Sequence, residues 1–305
     1  MTGPDGGRRA APFAARLADA VEAHGPLCVG IDPHPGLLAA WGLEADAAGV
    51  ERFARGVVEA LAGGVAMLKP QVALFEVFGA AGLAALERTL ADARAAGVLT
   101  VADAKRGDIG STMAGYARAW LADAAPLAAD AVTLSPYLGV GALGPAIDLA
   151  AETGRGVFVL ARTSNPEAVA VQSAQTWSAV GGGPPAMREV AQGVVDALAA
   201  LNAADAAHAG VGGVVVGATG GTTGREHGLD LSRLGAPVLV PGLGAQGATP
   251  ADVARAFGAA SGTVVPVSAR EVLAAGPDPG ALRAASDALN GDLRAGGLPV
   301  RPVGA

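Results

Sequence analysis

Eight short runs rich in Val, Ile and Leu recur along this chain, and each is followed by an Ala/Leu-rich stretch of helical period. The runs are Leu27–Ile31, Val65–Leu68, Val98–Ala102, Ala131–Leu134, Val157–Ala161, Gly213–Gly217, Pro237–Val240 and Thr263–Val267. Strands this continuously apolar have both faces covered, which in an alternating β/α chain means a parallel sheet wrapped by helices. Eight such units within about 260 residues predict a single-domain α/β fold, the (β/α)8 or TIM barrel, in preference to a doubly wound sheet. No internal repeat or composition break marks a second domain. The expected layout is a disordered tail over residues 1–10 and a barrel over 11–305. Its longest irregular stretch is Pro166–Pro185, a loop insertion or lid carrying Gly181-Gly-Gly183 and Pro184-Pro185.

Composition narrows the function classes. Hydrophobic residues make up 51% of the chain but aromatics only 4%, so Ala, Val and Leu must build the core. A formal charge of −7, with no run of Lys or Arg, offers nucleic acid nothing to bind. No apolar run approaches the ~20 residues of a membrane span, and Met1–Ala10 leads into no apolar leader core. The single cysteine, Cys28, excludes an intramolecular disulfide and suits a reducing compartment, so a soluble cytoplasmic protein is expected. Of 21 basic residues only two are lysines, Lys69 and Lys105. In a background biased so strongly to Arg, they mark positions where a compact ammonium is needed and a planar guanidinium will not serve.

Barrel enzymes carry their chemistry at the C-terminal ends of the strands. There this sequence places Asp32, then Lys69, then Asp103, Lys105 and Asp108, and further on Ser135, Thr163-Ser164-Asn165, Ser268 and Arg270. Side chains alternate along a strand, so Val101, Asp103 and Lys105 share one face, as do Val65, Met67 and Lys69. Charges at the mouth of an apolar barrel are costly unless paired, so facing inward they would pair across neighbouring strands. Pro241-Gly-Leu-Gly-Ala-Gln246-Gly247 is a flexible backbone able to present N–H groups. It runs into Thr249-Pro250, an N-cap with Pro at the first helical position. With Arg270 after the last strand, this reads as a phosphate site. Ser135 and Thr219 are weaker candidates that could simply cap strands. His24, His34, His208 and His227 have no metal-ligand spacing, so no metal site is expected.

The segment Asp103-Ala-Lys105-Arg-Gly-Asp108-Ile109-Gly-Ser-Thr112 resembles the signature of the orotidine 5′-monophosphate decarboxylases. Five further segments match that family in order: Gly30-Ile-Asp32-Pro-His-Pro35, Leu68-Lys69-Pro70, Thr163-Ser164-Asn165-Pro166, Pro241 through Gly247, and Val267-Ser-Ala-Arg270. The resemblance spans about residues 26–275 and looks closest to the longer bacterial branch. It implies cofactor-free decarboxylation of orotidine 5′-monophosphate (OMP) to UMP in pyrimidine biosynthesis. Lys105, Asp103, Lys69 and Asp108 are its implied catalytic residues. Asp32, Ile109, Thr112, Ser164, Pro241, Gln246, Ala269 and Arg270 are its implied substrate-binding residues. It also implies a homodimer in which the loop bearing Asp108, Ile109 and Thr112 enters the partner's site. Loss of CO2 from C6 of the pyrimidine leaves a carbanion with no neighbouring carbonyl, and fixed charge is what this sequence offers in compensation. Three other readings remain open. A related sugar-phosphate lyase would want a metal-holding carboxylate near Lys69, and a Schiff-base aldolase a lysine of depressed pKa. A non-catalytic phosphate binder would need neither lysine.

Overall fold

The computed structural model describes residues 11–178, 186–218, 227–244 and 247–298. The expected tail, Thr219, Gly181 through Pro185 and Gln246 lie outside these. The sheet is a closed parallel barrel, as the alternating pattern required. Its strands are β1 (Cys28–Ile31), β2 (Met67–Pro70), β3 (Leu99–Arg106), β4 (Ala131–Leu134), β5 (Gly156–Arg162), β8 (Gly212–Val216), β9 (Val238–Pro241) and β10 (Val264–Ser268). The order around the barrel is β1-β10-β9-β8-β5-β4-β3-β2. Chain order and spatial order therefore agree once β6 (Gln175–Ser178) and β7 (Ala186–Glu189) are set aside. Those two form a separate antiparallel hairpin in which Trp177 faces Met187.

This hairpin corrects the reading of Pro166–Pro185 as irregular. The stretch opens with a 3-10 turn at Pro166–Ala168 and a short helix at Val169–Gln172, then enters β6. Its base is fastened to the barrel by Arg162 at the end of β5, which donates to Ser173 Oγ at 2.9 Å and pairs with Glu189.

Strict alternation of side chains produces two apolar layers. Outward-facing Val29, Ile31, Val132, Leu134, Val157, Val159, Val214, Val238, Val240 and Val264 pack beneath the helices. Inward-facing Cys28, Met67, Val101, Ala131, Phe158, Val215, Leu239 and Val265 fill the barrel itself. The N-terminal helix Phe13–His24 closes the bottom, inserting Phe13, Leu17 and Val21 into that inner layer. The Phe13 ring meets Phe158 edge-on at 5.9 Å. Gly156 is required here, because a Cβ on it would lie 2.4 Å from the Phe13 ring. Among the described residues no helix is long and apolar enough to cross a membrane. With the bottom packed by hydrocarbon, polar chemistry is confined to the open end, where the strands finish.

Candidate active site

Parallel register brings the charged residues together. Cys28 pairs with Met67 and Gly30 with Lys69, while a further bridge sets Gln71 beside Asp103. The inward faces therefore climb from apolar to charged along each strand: Cys28, Gly30, Asp32 after β1; Met67, Lys69 on β2; Val101, Asp103, Lys105 on β3. Gly30 keeps the crossing open, since a Cβ there would stand 2.8 Å from Ala269 Cβ and 3.1 Å from Asp32 Oδ1.

At the top of this ladder four charges alternate in sign. Lys69 Nζ lies 3.8 Å from Asp32 Oδ1 and 3.1 Å from Asp103 Oδ2, and Lys105 Nζ donates to Asp103 Oδ1 at 2.7 Å. Asp103 thus holds both lysines, one on each carboxylate oxygen. Lys69 and Asp103 are the sequestered members, with 7% and 12% of their side-chain surface exposed, while Lys105 is open at 45%. Burial works against charge on Lys69, yet the Asp103 and Asp32 carboxylates outweigh it and raise the ammonium above the usual lysine range. Burial likewise opposes ionisation of Asp103, but Lys69 and Lys105 more than reverse that, and the carboxyl falls to about 2. Beneath them, burial pushes the Cys28 thiol up to about 12, which marks it as an inert part of the floor. Asp32 Oδ1 is buried with no hydrogen-bond partner among the described residues, its charged neighbour being Lys69 at 3.8 Å.

Two groups the sequence reading passed over complete the cluster. Gln71 Oε1 accepts from Lys69 Nζ at 3.3 Å. Thr133, on the inward face of β4, donates its hydroxyl to Asp103 Oδ1 at 2.9 Å and accepts the Lys105 N–H at 2.9 Å. Period-two counting from the inward Ala131 sets Thr133 on the inner face, as it does Ser135 two residues on.

Beside the charges lies a cleft of about 170 Å3, lined by Asp32, Lys69, Pro241, Gly242, Ala269 and Arg270. His34 and Leu37 also line it. Five of the residues singled out from sequence thus share one cavity. Thr249 and Asp252 cap the helix Pro250–Phe257 reciprocally, with Pro250 at its first turn, as Thr249-Pro250 led one to expect. Gly244 needs its positive φ of 70° and its missing side chain, because Glu271 packs its carboxylate within 2.0 Å of where a Cβ would be. Arg270 is exposed, and no described residue forms an ion pair with it.

The remaining candidates do not converge within one chain. Asp108 forms no ion pair with Lys105 among the described residues; its Oδ1 accepts the Ile109 N–H at 2.8 Å. Ile109 and Thr112 stand exposed at the start of the helix Gly110–Leu121. Ser164 is half-buried in a turn held by Gln172, which accepts the Thr163 N–H at 2.8 Å and donates to Thr163 Oγ1 at 2.9 Å. Ser135 follows β4, where its main-chain N–H donates to Arg106 O at 2.7 Å. Among the described residues no three His, Cys, Asp or Glu side chains gather as a metal site.

Comparison with known proteins agrees with this geometry. The model of the orotidine 5′-phosphate decarboxylase / HUMPS family matches residues 25–285. An orotidine 5′-phosphate decarboxylase of Salinispora arenicola is 58% identical over 283 residues, covering 93% of this chain and 97% of its own. One of Streptomyces coelicolor is 55% identical with the same coverage. A crystal structure of a Streptomyces avermitilis protein assigned the same activity superposes with a TM-score of 0.87 at 53% identity, over 97% of this chain and 99% of the other. The Leishmania donovani OMP decarboxylase superposes at 0.69 with 27% identity, over 93% and 98%. With its barrel closed, its lysines and aspartates interleaved at the mouth and its length matched almost end to end, the chain belongs to the orotidine 5′-phosphate decarboxylase / HUMPS family.

Proposed function

We propose that the chain decarboxylates OMP to UMP, and that the observation carrying this is the unbroken chain of Asp32, Lys69, Asp103 and Lys105 beside a cleft that ends at Arg270. Arg270, with the backbone after β9 and Gln246, grips the phosphate. Pro241 and Ala269 form the walls that seat the nucleotide, and Ser164 contacts the pyrimidine. Asp32, with a free buried oxygen, accepts ribose hydroxyls, and Lys69 spans from there to Asp103.

The substrate carboxylate then lies against Asp103, and the bond from C6 to that carboxylate breaks with its electron pair left on C6. Lys105, whose ammonium Asp103 fixes at 2.7 Å, stabilises this pair and passes its proton to C6. CO2 departs, and the neutral amine regains a proton from solvent. The charges supply what an electron sink or Lewis acid supplies elsewhere, so no cofactor enters the proposal. A metal-assisted sugar-phosphate lyase would want a carboxylate where Lys69 stands.

The site is completed across a homodimer. Support comes from Asp108, which pairs with no described cation of its own chain, and from Val77, Ile109, Tyr137 and Leu138. These four apolar side chains stand exposed on the segments following β2, β3 and β4, three neighbouring strands. The one, buried cysteine suits a reducing cytoplasm.

The test is purified, chelator-treated protein mixed with OMP, followed by loss of its absorbance and by release of CO2. Turnover without additions is the expected result. Turnover only after a divalent ion is added overturns the cofactor-free mechanism, and none under either condition overturns the function.

A further inference from the structure

The backbone of Lys105 is unusual. Its φ is +49°, the only positive value at a non-glycine position among the described residues. Left-handed backbone in a lysine is strained and persists only where its surroundings impose it. The cause is visible in the register of β3 on β4. Ala102 pairs with Val132 and Arg106 with Leu134, so β3 advances four residues while β4 advances two. The extra length is taken up around Asp103–Lys105, and the β4 residue facing it is Thr133, only 1% exposed.

A hydroxyl has one proton to give and lone pairs to accept with. An ionised carboxylate cannot donate, so the Thr133 proton goes to Asp103 Oδ1, and its lone pair takes the Lys105 N–H, both at 2.9 Å. Asp103 Oδ1 in turn receives Lys105 Nζ at 2.7 Å. The contacts close a ring: Lys105 is gripped at its backbone and at its ammonium by groups that both rest on one hydroxyl. The lysine is otherwise open to solvent, with freedom to swing away from a reacting carbon. From this closed ring we propose that Thr133 is a positioning residue, fixing where the Lys105 ammonium stands during the reaction without itself touching substrate. This rests on the role of Lys105 in the proposed decarboxylation. The ionised form of Asp103 is favoured partly by the same hydroxyl, in keeping with the ring.

Thr133→Val tests it, since it keeps the shape and removes both hydrogen bonds; Thr133→Ser keeps both bonds and loses a methyl group. We expect Thr133→Val to lower kcat by about 100-fold, the scale of a reacting group displaced by roughly 1 Å. KM and the affinity for UMP should stay within about threefold, because the phosphate and ribose contacts are untouched. Thr133→Ser should return kcat to within about threefold of the native protein. The acidic limb of kcat against pH should move upward in Thr133→Val, as Asp103 loses a bond that favours its ionised form. If Thr133→Val does not fold, Thr133→Ala replaces it with the same readouts. A hydroxyl-free variant with near-native kcat, or a kcat loss shared equally by Thr133→Ser, overturns the assignment. Failure of the native protein to turn over OMP would instead refute the underlying function, so the two failures are told apart.

Discussion

Replacing Asp103 by Asn removes one charge while keeping the shape and an acceptor for Thr133, so it isolates the electrostatic role of that carboxylate. Asp103 sits at about 2 in the folded protein against an ordinary 3.8. At about 1.36 kcal/mol per pH unit, this difference corresponds to roughly 2 kcal/mol in favour of the ionised carboxylate, net of the burial that opposes it. Lys69 would be left nearly buried with Asp32 at 3.8 Å as its remaining carboxylate, which adds to the loss, whereas Lys105 is exposed enough to be hydrated. Breaking a buried pair by removing one partner costs about 3–5 kcal/mol, so about 2–4 kcal/mol is expected for Asp103→Asn at neutral pH. Because the folded pKa is depressed, this stability is present in full above pH 3.8 and drains away as pH falls towards 2. The assay is urea unfolding of native and Asp103→Asn protein at one fixed concentration, at pH 7.5, 5.5 and 3. The two upper values should give the same gap, and the gap should narrow at pH 3. An Asp103→Asn protein as stable as native at pH 7.5, or more stable, would refute the pairing as a source of stability. Burying the Asp103 carboxylate would then cost at least as much as the two lysines return.

Lys105→Ala should lower kcat by about 1000-fold or more while UMP affinity changes little, because the lysine acts on charge that develops only during reaction; steady-state kinetics with a UMP competition assay would reveal equal small changes if it does not. Arg270→Ala should weaken binding of UMP by roughly 10- to 100-fold, the value of a charge-assisted contact, yet leave uridine within about twofold; calorimetry showing equal losses on both ligands would remove Arg270 from the phosphate site. Lys105→Ala and Asp108→Asn chains, each inactive alone, should recover about a quarter of native activity when unfolded and refolded together in equal amounts. Half the dimers are then mixed, with one intact site in each. No recovery despite demonstrated chain exchange would place Asp108 in its own subunit's site.

The barrel was legible because its strands are buried on both faces and therefore written as plain apolar runs. The boundaries drifted where chemistry interrupts hydrophobicity. β2 extends through Lys69 to Pro70, and β3 runs on through Asp103 and Lys105 to Arg106, since backbone pairing continues past the point where side chains turn polar. Period-two alternation sufficed to set Lys69, Asp103 and Lys105 on inward faces, and the scarcity of lysine drew attention to them. It could not show that β3 bulges at Lys105, because register is a property of two strands. Nor could it separate Thr133 from the other small polar residues near strand ends. Ser135, at the same strand's end, drew attention instead. The hairpin of β6 and β7 escaped because it is exposed, and Gln-Thr-Trp-Ser and Ala-Met-Arg-Glu carry no apolar alternation to announce it.

The helix that stops the lower end of the barrel has a consequence for traffic. Phe13, Leu17 and Val21 leave the inner layer packed from Cys28 down, so among the described residues the barrel is open only at the end where its strands finish. Nucleotide enters there, and a gas molecule released above Lys69 and Lys105 meets a floor of hydrocarbon below. Under the proposed decarboxylation, CO2 therefore departs through the same mouth by which the nucleotide came.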